Sequence, residues 1–170
     1  TRLAARNRSA ADLVTIHRQM LAFEAAVRSN DYLAMSETNL HFHVAVARAG
    51  GNPYLIQPYE RLLNEGRRML HLHFDYLART ARDEALLTDE HAQILAAITE
   101  GDADRADRLA HAHTRQFRDR FLDFLRANGF ATFIVSGGGV EFVRAFSEAA
   151  YGIPRSQVIG STFALRSGER

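Results

Sequence analysis

Residues 39–55 read Asn-Leu-His-Phe-His-Val-Ala-Val-Ala-Arg-Ala-Gly-Gly-Asn-Pro-Tyr-Leu. Leu40, Val44 and Ala47 recur at helical spacing, as do Phe42, Val46 and Ala49, which is the period of an amphipathic helix. Gly50-Gly51 stops that helix. Asn52-Pro53 opens another, with proline at an early helical position where its missing N–H costs nothing. Asn39 and His43 are one turn apart and so share a face.

The same texture runs outward from Thr1 to about Asn128. A first helix is expected to end near Asn7. Ser9 is the expected N-cap of a second, reaching about Ser29. Asn30-Asp31 begins a third, which ends at Gly50-Gly51. The fourth starts at Asn52-Pro53 and is expected to reach Tyr76. The fifth spans about Arg82 to Thr99 and stops at Gly101. Asp102 caps a sixth that runs to Asn128-Gly129. Short loops between long helices imply antiparallel neighbours, so the fold class is mainly α, an antiparallel bundle of about six helices over residues 1–128.

Beyond Gly129 the texture changes. Residues 131–135 read as a buried strand ended by Ser136-Gly137-Gly138-Gly139. Residues 140–151 form an amphipathic helix, Gly152-Ile153-Pro154 a turn, and residues 157–160 a second short strand. This is the grammar of a β-α-β unit. About 40 residues cannot build a parallel sheet covered on both faces, so residues 129–170 read as a partial domain.

Composition bounds the function classes. The 170 residues suit one domain, or one domain plus a fragment, and 46% hydrophobic content supplies a core. All 21 basic residues are Arg, and a net charge of +1 argues against a strongly cationic nucleic-acid surface. With no Cys, disulfides and thiolate-rich zinc sites are excluded, which fits a reducing, cytoplasmic setting. No apolar run approaches a membrane span. The opening residues lack a signal-peptide core and read like the middle of a helix, so the chain is expected to begin inside a longer protein.

His91 and His113 fall on the fifth and sixth expected helices. Packed on the Asn39/His43 face, the three imidazoles and one amide oxygen form a candidate divalent-metal site. Nitrogen-rich ligation favours Zn or Ni, with Mn or Fe possible. The open coordination positions allow either hydrolysis by bound water or capture of a carboxylate. Glu90 is expected to point elsewhere on its helix, which leaves hydrolysis without a general base and favours capture. The competing reading takes these as ordinary core imidazoles, since the chain has eight His. His41 and His111 lie about 200° around their helices from the candidate ligands and are read as solvent-facing or polar-core residues. Arg67 and Arg68 are candidate effector-binding residues, because guanidinium matches carboxylate in bidentate geometry; they read equally as solvated charges. His71 and His73 either line the effector cavity or are structural. Ser136 and Gly137 are candidate phosphate contacts, against the alternative of a tight strand-to-helix turn.

Five blocks together resemble a known domain. They are Asn39-x-x-Phe42-His43, Ala49-Gly50-Gly51-Asn52-Pro53, Glu90-His91-x-x-Ile94-Leu95, Gly101-Asp102 and His113. They resemble the effector-binding (FCD) domain of FadR-type regulators in the GntR transcription-factor family, over about residues 1–128. The resemblance implies an all-helical bundle with a cavity over a metal, whose ligands map onto Asn39, His43, His91 and His113. It implies a small carboxylate effector that approaches the metal, and a homodimer. Asn39 stands where Asp is commoner, and a neutral amide is a weaker ligand than a carboxylate. Against the family pattern, the chain is expected to lack the winged-helix domain through which the family binds DNA and the start of the first FCD helix.

The tail is similar to another family. Thr132-Phe-Ile-Val-Ser136-Gly-Gly-Gly139-Val-Glu-Phe, Tyr151-Gly-Ile-Pro154 and Val158-Ile-Gly160-Ser161 resemble haloacid-dehalogenase (HAD) superfamily phosphatases, over about residues 122–170. The resemblance implies Ser136 as the hydroxyl that contacts phosphate. No Asp follows Asp123 and the chain has no Lys, so the nucleophile and the required lysine are both missing. The chain reads as a fusion of two partial domains and as no enzyme. The alternatives are an inactive phosphatase-like fragment and a bundle with a purely structural metal site.

Overall fold

The computed structural model describes residues 1–80 and 85–162, apart from the side chains of residues 73, 76–80 and 85–88. The expected helix start at Arg82 and the His73 side chain lie outside the described residues. The described residues are mainly helical, as expected. Chain contacts divide them into two units, Thr1–Phe117 and Arg118 onward.

The helices are α1 (Arg2–Asn7), α2 (Ala10–Arg28), α3 (Tyr32–Ala49), α4 (Pro53–Glu65), α5 (Arg67–Thr80), α6 (Ala85–Glu100) and α7 (Ala103–Ala127). The starts of α2, α3, α4 and α7 carry side-chain caps. Ser9 Oγ accepts from Asp12 N–H at 3.1 Å while Asp12 accepts from Ser9 N–H at 2.8 Å, a reciprocal capping box. Asp31, Asn52 and Asp102 accept from Ala34, Tyr54 and Arg105 N–H groups at 2.9, 3.0 and 2.9 Å. Gly101 ends α6 in the left-handed region at φ 77°, which glycine adopts without strain.

One expected helix is two. The fourth breaks at Gly66, between α4 and α5. Glycine is the weakest helix former after proline, by about 1 kcal/mol against alanine, and Pro58 further withdraws a backbone donor from α4.

In this unit the apolar faces meet in two clusters. One joins Ile16 and Met20 of α2, Phe42 of α3, and Ile94 and Ile98 of α6. The other joins Phe23 and Val27 of α2, Met35 of α3, and Leu70 and Phe74 of α5. The α4 helix contributes nothing to either, since none of its residues is buried. An Arg48–Glu60 ion pair at 2.6 Å links it to α3.

The second unit holds β1 (Ile134–Gly139), α8 (Val140–Arg144), α9 (Ser147–Tyr151), a 3-10 turn (Arg155–Gln157) and β2 (Val158–Ser161). The strands pair in parallel, Ile134 with Val158 and Val135 with Ile159, giving the expected β-α-β order. Three details differ from expectation. The first strand starts at Ile134 and continues through the glycine triplet, which glycine's freedom permits as readily as a turn. The crossover is two five-residue helices rather than one, because the backbone bends at Ala145–Phe146. The strand is not buried: Ile134 packs against Val140, Val143 and Val158, whereas Val135 is 75% exposed. A sheet covered on one face buries alternate residues only.

Candidate metal centre

Three helices converge on one cluster: α3 brings His43, α6 His91 and α7 His113. One ring nitrogen from each lies within 4.8 Å of the others. The ring centroids form a near-equilateral triangle, 5.2 Å from His43 to His91, 5.2 Å from His43 to His113 and 5.0 Å from His91 to His113. His43 Nε2 and His113 Nε2 are 3.3 Å apart. Metal–nitrogen bonds of about 2.0–2.1 Å at a tetrahedral angle separate two ligand atoms by about 3.3 Å, so this pair stands at ligand spacing.

His91 tests the fit most severely. It is 1% exposed, wedged between Phe42 at 4.4 Å and Phe23 at 4.8 Å, and so sits where the two apolar clusters meet. Neither of its ring nitrogens has a hydrogen-bond partner among the described residues. A buried unpaired polar atom costs about 1–3 kcal/mol, and a cation would satisfy one of the two. Asn39, also buried, lies one turn before His43 on α3.

Burial favours the neutral form of His43 and His91. It pushes His43 down to about 3, assisted by the neighbouring His113. It also drives His91 well below the usual histidine range, assisted by His43 and His113. Neutral rings keep the lone pairs that a cation requires.

Glu90 departs from expectation. A residue 100° around the helix from His91 was expected to face away, yet Glu90 Oε2 lies 2.5 Å from His113 Nδ1. The flank of α6 still reaches α7, and a glutamate is long enough to use that reach. The Glu90-His91 pair in the sequence was the only signal for this contact.

Beside the cluster is a cavity of about 520 Å³, whose wall includes His43 and His113. Its other walls are largely apolar, with Phe42 and Val46 from α3 and Leu55, Pro58 and Leu62 from α4. Tyr59 lines it too, and partial burial pushes its phenol up. Arg2, on the same wall, is engaged with Asp107 at 2.9 Å and Asp104 at 3.3 Å.

Residues 1–116 match the FCD domain family. The chain belongs to that family. An FCD domain is a regulatory ligand-sensing module of GntR-family regulators and not a catalytic one. No curated protein matches the chain. The likeness of residues 122–170 to HAD phosphatases has no support from these comparisons. No helix among the described residues of this FCD protein is long and apolar enough to cross a membrane.

The remaining candidates of the FCD protein lie elsewhere. Arg67, Arg68 and His71 are exposed on α5 and do not line the cavity, and Arg67 lies 3.8 Å from Glu37. His41 and His111 are exposed. Ser136 and Gly137 are both inside β1. Ser136 Oγ accepts from Gly138 N–H at 3.1 Å, and the Gly137 carbonyl accepts from the Ser161 hydroxyl at 3.2 Å. The triplet is strand, not a loop that wraps an anion.

Proposed function

We propose that this chain is the metal-containing, effector-sensing part of a GntR-family transcriptional regulator. On this reading residues 1–128 are the helical effector domain and residues 129–170 a separate β-α-β segment. Asn39, His43, His91 and His113 hold a divalent ion, with Zn or Ni favoured by three nitrogen donors. A bound ion supplies an electrophilic centre for a carboxylate oxygen.

The observation that carries the reading is the triangle of imidazoles, two of which line a largely apolar cavity. His43 and His113 line that cavity beside the apolar side chains of Phe42, Val46 and Leu62. This suits a small acid with an apolar body. Binding biases the packing of α3, α6 and α7 only if the acid prefers one arrangement of them. DNA recognition falls to a winged-helix domain rather than to these residues, the working form is a homodimer, and the setting is cytoplasmic.

Metal content tests this directly. Elemental analysis of protein purified without chelator is expected to give about one Zn, Ni or Mn per chain. The His43→Ala/His91→Ala variant is expected to carry none. Folded protein without metal in either form sinks the proposal.

A further inference from the structure

Glu90 lies outside the expected ligand set, yet it makes the shortest polar contact to any ring of the cluster among the described residues. We propose that Glu90 is a positioning residue that fixes the tautomer of His113, so that its Nε2 lone pair is aimed at the ion. This rests on the metal reading above.

A neutral imidazole has one N–H and one lone pair, and the free side chain favours the proton on Nε2. That tautomer would aim an N–H at the other two rings and repel a cation. An ionised carboxylate only accepts hydrogen bonds. At 2.5 Å from such a carboxylate, Nδ1 of His113 is the donor, and in a neutral ring that leaves Nε2 as the acceptor. That Nε2 faces the Nε2 of His43 at 3.3 Å. Both partners are shielded, with side chains 21% and 22% exposed, so water competes little for the contact.

Charge argues in the same direction. Three imidazoles and an amide bring no negative charge to a divalent cation. A carboxylate one ring away offsets part of that charge and raises the basicity of the ligand nitrogen. Bonded to the far edge of the His113 ring, it acts through that ring rather than as a ligand. His91 has no such polar contact among the described residues and packs against the rings of Phe23 and Phe42.

The test compares Glu90→Gln and Glu90→Ala with the parent chain by two readouts. Zinc affinity, measured by competition with a chromophoric chelator, is expected to weaken about tenfold in Gln, which still accepts a hydrogen bond. It is expected to weaken about 100-fold in Ala, which does not. Ring ¹⁵N spectra of the metal-free proteins are expected to show His113 protonated on Nδ1 in the parent and Gln forms. In the Ala form the proton should move to Nε2. Unchanged zinc affinity in both variants, or an unchanged His113 tautomer in Glu90→Ala, overturns the proposal. A parent chain that binds no zinc refutes the metal reading instead, and the metal-free spectra still decide the role of Glu90. Should Glu90→Ala not fold, Glu90→Gln retains the affinity test, and Glu90→Leu replaces Ala in both.

Discussion

His91 concentrates what single residues decide here. Both its nitrogens are buried without a hydrogen-bond partner among the described residues, so its imidazole is a liability to the metal-free fold. His91→Leu is therefore expected to hold or raise the melting temperature of metal-free protein, by a gain of about 1 kcal/mol, while abolishing metal uptake. A drop of several degrees in calorimetry would show that the nitrogens have partners. Acid sensitivity follows from the same burial. In the unfolded chain the His43 imidazole takes up a proton near the usual histidine value of 6.5, whereas folded His43 does so only near 3. The unfolded state binds more protons between those values, so the metal-free fold is level above about 6.5 and loses stability as pH falls towards 3. Urea midpoints measured downward from neutral pH check this, and His43→Leu should flatten the slope. The three imidazoles were legible in the sequence because one-turn spacing and the family blocks mark them. Glu90 was not, because whether a flanking side chain reaches a neighbouring helix depends on interhelical distance, which spacing does not contain.

At the scale of elements, two glycines with opposite backbones make opposite predictions. Gly66 has an ordinary helical conformation, and an added Cβ would meet the Leu62 and Leu63 carbonyls at 3.4 and 3.7 Å, ordinary contact. Gly66→Ala is expected to stabilise by about 0.4–1 kcal/mol. Gly101 has φ 77°, and a Cβ there would come within 2.9 Å of Arg8 Nη2, whose guanidinium bonds the Ala5 and Thr99 carbonyls. Gly101→Ala is expected to cost about 1–2 kcal/mol. Denaturant midpoints of the two variants should move in opposite directions. Helix starts were readable from Ser9, Asp31, Asn52 and Asp102, since a cap is a local device. The break at Gly66 and the strand start at Ile134 were not. Glycine tolerates a helix, a turn or a strand, and tertiary packing selects among them.

For the whole molecule, the mainly α fold with a short β-α-β tail was legible as two textures, one of helical period and one rich in glycine and β-branched residues. The cavity was implied by the resemblance alone, and its walls were not legible, because they come from residues far apart in sequence, such as Val46 and Ile94. If the ion links α3, α6 and α7, loading is expected to raise the melting temperature and chelation to reverse it, by linkage. Small carboxylates should add a further shift only in the loaded protein, and an equal shift without metal would refute capture at the ion. A gel shift with this chain is expected to show no sequence-specific DNA binding, and a specific complex would refute the division of labour proposed above.

The α4 helix forms one wall of the cavity yet buries none of its residues, and the ion pair linking it to α3 is largely in solvent. An exposed pair of that kind contributes about 0–1 kcal/mol. Amide hydrogens along α4 are therefore expected to exchange with deuterium well before those of α3. A solute can then reach the histidines by fraying one turn of a peripheral helix, while the apolar clusters that hold the imidazoles keep their native lifetime.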